Sequence, residues 1–453
     1  MAENVQATLT FPPGFLWGTA TAAHQVEGCN HNSWSAWEAL DEGHIYQNQV
    51  SGRACEWWSG RAEEDFDRAA SLHNNALRLS VEWSRIEPEP GRWDPDALDR
   101  YRQMITALRG RGLEPMVTLH HFTNPLWLEE RGGWLDPETP RSFARYARHV
   151  VDALGGHVRL WCTINEPVVY AVLGFLLAKW PPGHSDLTEV FTVLTHLAQA
   201  HALAYHAIKP DHPQAQIGFA KHQISFRAGG LPLLGDLGVR VMRWIFNEVF
   251  FGPFVHGRLP LVAGRGVPIP QARGTLDWIG LQYYSQYNVR FNPRHPETLF
   301  FERYARLDRP HGPKDWGELA PEAIFPLIRQ LHRMVRRPIY VTEAGVPDPD
   351  DSVRPGYLAR TLGAVWRACM HSYPVRGFFF WSLVDNFEWA EGYDPRYRFG
   401  LYGVDWQTQE RTERHSARLY RAVCAANALT SGIVGHYTPE ALPDLFPRPR
   451  TAF

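Results

Sequence analysis

Strand and helix alternate eight times along this chain, which predicts a single α/β domain built as a (β/α)8 TIM barrel with long loops on the C-terminal face of the strands. Three observations predict it. Eight apolar, β-rich runs occupy residues 15–23, 76–86, 115–122, 158–164, 215–222, 277–284, 338–342 and 375–383. Their nearly continuous hydrophobicity suits strands buried on both faces of a parallel sheet. Helical periodicity fills the intervals between them, and no linker-like stretch divides the 453 residues.

Taken in order, the helices carry their own start signals. Asp94-Pro95 reads as N-cap and first helical position, and Leu98, Tyr101, Ile105 and Leu108 then recur at helical spacing. Thr139-Pro140 opens a second such helix, with Phe143, Ala147, Val150 and Leu154 along one face. The stretches 24–59, 167–184, 286–320 and 385–412 each follow a strand and are too long for simple connectors. In a barrel of this kind they fall on the strand C-terminal ends, where active sites are built. Residues 1–453 thus read as one catalytic barrel. Its proline-containing C-terminal extension, 427–453, reads as a strap, an oligomer contact or a partly disordered tail.

Composition narrows the function classes. Hydrophobic residues make up 44% and charged residues 21%, enough apolar content for a large core. The 18 tryptophans exceed what packing calls for, so some aromatic surface is expected to face a ligand. A net charge of −2 supplies no electrostatic footprint for nucleic acid or an anionic membrane. The five cysteines, Cys29, Cys55, Cys162, Cys369 and Cys424, are widely spaced without a Cys-X-X-Cys pair, which suggests reduced thiols. With no signal-peptide pattern at the N-terminus and no bilayer-length apolar run, a cytoplasmic protein is expected. A homo-oligomer is compatible with the sequence.

Two segments carry the chemistry, Thr163-Ile164-Asn165-Glu166-Pro167 and Val341-Thr342-Glu343-Ala344-Gly345. Each sets a glutamate where a strand-like run breaks into a loop, in different surroundings. Glycosidic cleavage needs one carboxyl kept protonated for the leaving oxygen and one kept ionised to stabilise or attack the anomeric carbon. Two strand-end glutamates can also be mere salt-bridge partners, so the surrounding motifs decide. His120-His121 invites a metal, but adjacent side chains on a strand point to opposite faces, and no carboxylate or cysteine lies at ligand spacing. No metal and no cofactor is expected.

The two segments resemble the Thr-X-Asn-Glu-Pro and Thr-Glu-Asn-Gly signatures of glycoside hydrolase family 1, the retaining β-glucosidases and β-galactosidases, and the similarity runs along nearly all of the chain. The resemblance implies that Glu166 is the acid/base and Glu343 the nucleophile. Arg78 and Tyr284 match the arginine and tyrosine that hold the nucleophile. Gln25, His121 and Asn165 match positions that hydrogen-bond sugar hydroxyls, Asn165 at the 2-hydroxyl. Trp381 matches the platform under the pyranose face, Glu388 the carboxylate at the 4- and 6-hydroxyls, and Trp389 a donor to the 3-hydroxyl. Trp316, on the loop after the sixth strand, lies either on the leaving-group side or at the surface. Two positions depart from the family: Ala344 and Gln282 stand where asparagine is usual.

The expected activity is therefore retaining exo-hydrolysis of terminal β-D-glucosides, with β-D-galactosides and β-D-fucosides tolerated. The partners are small β-glycosides or short β-linked oligosaccharides. Repulsion from an ionised Glu343, helped by desolvation, should raise the pKa of Glu166. A charged Glu388 should repel a 6-phosphate and so favour free sugars. A degenerate sugar-binding barrel would lack one of the glutamates, and both are present.

Overall fold

Burial on both faces selects the eight apolar runs as barrel strands. The computed structural model describes residues 7–40, 42–261, 266–295, 300–313 and 316–447. The strands are β1 (Leu16–Ala20), β2 (Ala76–Ser80), β3 (Glu114–His120), β4 (Leu160–Asn165), β5 (Gln216–His222), β6 (Trp278–Tyr283), β7 (Ile339–Ala344) and β8 (Val375–Trp381). All pair in parallel with their sequence neighbours, and β8 closes on β1 with Phe378 opposite Trp17. Every residue of β2, β4 and β6 is buried.

Five of the runs end as strands earlier than expected, two of them by three residues or more. Residues 15–23 stop being strand at Ala20 and 76–86 at Ser80, and short helices Ala23–Val26 and Trp83–Ile86 take over. Ala22, Ala23, Val81 and Trp83 are nonetheless buried. Apolarity there reports loops packed on the core, not strand.

The two helices form where their first-turn prolines predicted. α1 (Pro95–Gly110) is capped by Asp94, whose carboxylate accepts from the Asp96 and Ala97 amides at 2.9 and 3.1 Å. It buries Leu98, Tyr101, Ile105 and Leu108. α2 (Thr139–Leu154) buries Phe143, Ala147, Val150 and Leu154. Each leucine, isoleucine, valine and phenylalanine among them stabilises the fold by about 1.5–3 kcal/mol relative to exposure.

Of the long connections, 167–184 is largely helix rather than loop, as α3 (Pro167–Phe175), and α4 (Leu187–Ile208) follows it. The 286–320 stretch contributes strands Gln286–Phe291 and Phe301–Tyr304 to a small sheet completed by Ser225–Ala228. The C-terminal extension begins with Ala428–Thr430, paired antiparallel with Thr8–Thr10. A helix, Ser431–Tyr437, follows, and Arg360 Nε holds Asp444 at 2.8 Å. This strap lies beside the residues that lead into β1, at the strand N-terminal end; the rest of the extension, 448–453, lies outside the described residues. Among the described residues no helix is long and apolar enough to cross a membrane.

Candidate active site

A left-handed backbone turn brings Glu166 to the barrel mouth: it takes φ +42° immediately after β4, where Pro167 disfavours continuing directly into a right-handed helix. Its amide donates to the Ala220 carbonyl at 2.9 Å, while its carbonyl accepts from Tyr170 at the start of α3. The carboxyl does not cap that helix and is left free for other chemistry.

Glu343, near the end of β7, has a different environment. Arg78 Nη1 and Gln282 Nε2 donate to its Oε1, and the Tyr284 hydroxyl donates to Oε2. Arg78 is wholly buried in the barrel and also donates to Asn165 Oδ1 at 2.6 Å and Thr118 Oγ1 at 3.1 Å. Gln282 Nε2 reaches Asn165 Oδ1 at 2.8 Å. Gln282 therefore bridges the two glutamate-bearing strands directly. Ala344 sits buried in register with Tyr283 and Phe380, so every hydrogen bond to Glu343 comes from other positions.

Charge follows from these partners. Burial first, then Glu343, pushes the Glu166 carboxyl well above its ordinary range, with Lys221 and Arg78 opposing. Desolvation thus outranks the like-charge repulsion expected to dominate. Burial also pushes the Glu343 carboxyl above its ordinary range, but Arg78, Tyr284 and Gln282 oppose it and hold the rise short of that at Glu166. The shared proton therefore rests on Glu166. Burial, then Glu343 and Glu166, keep Tyr284 a phenol able to donate.

The sugar-binding candidates gather around the same cavity of about 310 Å³, lined by His121, Asn165, Glu166, Tyr284, Trp316, Glu343, Trp381, Glu388 and Trp389 among others. Burial, then Arg78 and His120, hold His121 neutral. Asn165 Nδ2 lies 3.0 Å from His121 Nε2. Since the amide can only donate, the imidazole proton is assigned to Nδ1, which has no partner. Trp389 is stacked between His24 and His121, with centroids 5.7 and 5.9 Å away. Trp381 stacks on the same His121 at 6.2 Å. Trp316 lines the cavity rather than the outer surface and meets Tyr284 edge-on at 5.6 Å. Gln25 is fully buried, with Nε2 3.3 Å from Glu388 Oε2.

Glu388 corrects the sequence reading. Burial, then Glu391 and Glu343, push its carboxyl well above the ordinary range, with Gln25 opposing. A carboxyl so buried favours its neutral form. It can then donate as well as accept, and the simple charge-repulsion argument against a 6-phosphate does not apply to it.

His222, at the end of β5, was missed by sequence reasoning. Its Nδ1 stands 3.8 Å from Glu166 Oε1, and burial pushes its pKa down to about 3. Lys221 beside it is pushed by burial down to about 7, with Glu166 opposing. The signal was available, since His222 ends the fifth run as Glu166 follows the fourth. Among the described residues no cluster of three or more His, Cys, Asp or Glu is arranged to hold a metal.

Buried polar atoms without partners cluster here: Gln25 Oε1, His121 Nδ1, Glu166 Oε1, Gln282 Oε1 and Trp316 Nε1. Unmade hydrogen bonds of this kind are costly unless a ligand completes them. A polyhydroxylated ring over tryptophan faces meets both demands.

The comparisons with known proteins agree with this geometry, because the model of glycosyl hydrolase family 1 matches residues 7–429. The chain belongs to that family. It is 33% identical over 446 residues to beta-glucosidase A of Thermotoga maritima, covering 92% of this chain and 98% of that protein. A bifunctional beta-D-glucosidase/beta-D-fucosidase of Bifidobacterium breve is 32% identical, covering 92% and 99%. The solved beta-glycosidase from Pyrococcus horikoshii superposes with a TM-score of 0.88 at 34% identity, covering 97% of this chain and all of that one. As a family 1 enzyme the chain is a retaining β-glycosidase acting through a covalent glycosyl-enzyme intermediate.

Proposed function

We propose that Glu343 is the nucleophile and Glu166 the acid/base of a β-glucosidase that also accepts β-galactosides and β-fucosides. One observation carries the roles: three donors converge on the Glu343 carboxylate, whereas Glu166 Oε1 has no hydrogen-bond partner. A carboxylate so held is ionised and aimed, and a buried carboxyl without donors keeps its proton.

In the first step a Glu343 oxygen attacks the anomeric carbon while Glu166 gives its proton to the departing oxygen. The C–O bond to the aglycone breaks, and the alcohol leaves. Esterification removes the charge of Glu343, so Glu166, now deprotonated, takes a proton from water as that water attacks the same carbon. The bond to Glu343 breaks, restoring its carboxylate, and the sugar is released with its configuration retained and Glu166 protonated again. Asn165, tied to Arg78, Gln282 and His121, meets the 2-hydroxyl, where contacts strengthen in the oxocarbenium-like transition state. Trp381 supplies the stacking face. Trp389 and His121 donate to hydroxyls, and Trp316 borders the leaving group.

At the 4-hydroxyl, Glu388 and Gln25 offer both a donor and an acceptor within one small space, which suits the glucose and galactose orientations alike. Relatives bearing beta-glucosidase, beta-galactosidase and beta-D-fucosidase names support this breadth. The whole chain is read as one catalytic barrel, with 427–447 as its strap. Five free cysteines, three of them buried, suit a reducing, cytoplasmic setting.

The test is Glu166→Ala. Dinitrophenyl glucoside, whose leaving group needs no proton, should keep far more of its glycosylation rate than an alkyl glucoside, and azide should restore turnover as the β-glucosyl azide. Equal losses on both substrates would remove Glu166 from the acid role.

A further inference from the structure

The helix Pro232–Arg243 packs on the small sheet of Ser225–Ala228, Gln286–Phe291 and Phe301–Tyr304, and it turns its small residues inward. Its buried positions are Gly235, Gly238 and Met242, and an added Cβ at Gly238 would stand 2.6 Å from Phe301 Cδ1 and 2.8 Å from Val289 Cγ1. Leucines take the outer positions instead. Leu231 and Leu233 are 70% and 86% exposed, and Leu237, one turn on, is exposed as well. The hairpin beside the helix adds Phe291 and Phe300, both exposed, with ring centroids 6.3 Å apart. The start of the helix lies against that hairpin, since an added Cβ at Gly230 would stand 3.5 Å from Arg290 Cβ. Five of the twelve exposed large apolar side chains among the described residues thus belong to this one helix and hairpin. Single exposed leucines call for no explanation, but a cluster of this kind marks an interaction face.

Charge selects the occupant. The described residues of 225–243 and 286–304 include six arginines, all exposed, against two carboxylates, Asp236 and Glu302. Glu302 holds Arg290 at 2.8 Å and Glu248 holds Arg243 at 2.9 Å, whereas Arg227, Arg240 and Arg294 form no ion pair among the described residues. The whole-chain charge of −2 averages this local excess away. Two copies meeting through the patch would set arginines against arginines, because a twofold interface puts the same surface on both sides. Protruding apolar side chains among unpaired arginines instead match the boundary between acyl chains and anionic headgroups. We infer that this face docks the enzyme peripherally on an anionic lipid surface, with the leucines and phenylalanines entering the headgroup layer and the arginines meeting lipid phosphates. Ser225–Ala228 follows β5 and Gln286–Phe291 follows β6, so the docking face belongs to the mouth end of the barrel.

Sedimentation with sucrose-loaded vesicles tests it on the full chain. The enzyme should pellet with vesicles of phosphatidylserine and phosphatidylcholine in equal parts, stay in solution with phosphatidylcholine alone, and be released as salt is raised, since exposed charges are screened. Leu233→Glu, at a position too exposed to put folding at risk, should weaken the partition at least about tenfold. Arg240→Gln should weaken it about fivefold, the worth of one basic residue near a charged bilayer. Neither change should alter 4-nitrophenyl β-glucoside turnover in solution, which confirms that both variants are folded. Failure to pellet with the anionic vesicles, equal pelleting with both compositions, or an unchanged partition in both variants would overturn the docking face. So would a concentration-dependent rise in sedimentation mass without vesicles that Leu233→Glu abolishes, because it would assign the patch to a second copy.

Discussion

Two glutamates of identical chemistry receive opposite protonation from what surrounds them. Glu343 has Arg78, Tyr284 and Gln282; Glu166 has burial and a neutral His222. Because burial precedes repulsion among the causes, Glu343→Gln should lower the Glu166 pKa only part of the way toward the ordinary 4.5. Carbon-13 NMR of the Glu166 carboxyl in that variant measures this, and a return to about 4.5 would make repulsion the governing cause. The sign is fixed: a raised acid is protonated, and competent as an acid, at pH values where a free carboxyl is not, so kcat/KM falls on the alkaline side as Glu166 loses its proton. The motifs around both glutamates were legible in the sequence, since Asn-Glu-Pro is a contiguous signal. The role of Gln282 was not, because its worth depends on β4, β6 and β7 meeting at one point. The protonation of Glu388 was also hidden, as burial is a property of the closed pocket.

Strands and helices differ in how plainly the sequence announced them. α1 and α2 were readable because a proline in the first turn and a period of 3.6 lie within one segment, joined in α1 by the Asp94 cap. Strand ends were not, since the apolar runs pass through Ala20 and Ser80 into loops that are equally buried. The small sheet joining Ser225–Ala228 to Gln286–Phe291 pairs residues some 60 positions apart, beyond any local pattern. Close packing between neighbouring strands sets its own requirement at Gly280, where an added Cβ would stand 2.7 Å from Thr342 Oγ1 and 2.9 Å from Ala220 Cα. Gly280→Ala should therefore destabilise the barrel by about 1–3 kcal/mol and, by shifting Gln282 against Glu343, lower kcat. Gly156→Ala, which meets open space, should stay within about 0.5 kcal/mol of the parent. Chemical denaturation of the two variants decides it, and equal midpoints would show that β5, β6 and β7 can move apart at little cost.

At the scale of the whole molecule, the barrel separates two duties. Its strand N-terminal end is sealed by Thr8–Thr10 against Ala428–Thr430, and the Asn427 side chain accepts from Trp17 Nε1 at 2.9 Å. Its opposite end carries the glutamates and the tryptophan-lined cavity, with Arg78 beneath them in the barrel interior. The eightfold alternation was legible because each strand-helix unit is local in sequence, whereas the placement of the C-terminal strap was not, since nothing near residue 428 names residue 10 as its partner. The central claim is that Glu343 forms the covalent bond to the sugar. Incubation with a 2-deoxy-2-fluoro-β-glucoside bearing a good leaving group, followed by proteolysis and mass spectrometry, measures it directly. The account predicts one fluoroglucosyl adduct per chain, on the peptide that contains Glu343 and on that side chain; an adduct on Glu166 or on any other residue would contradict it.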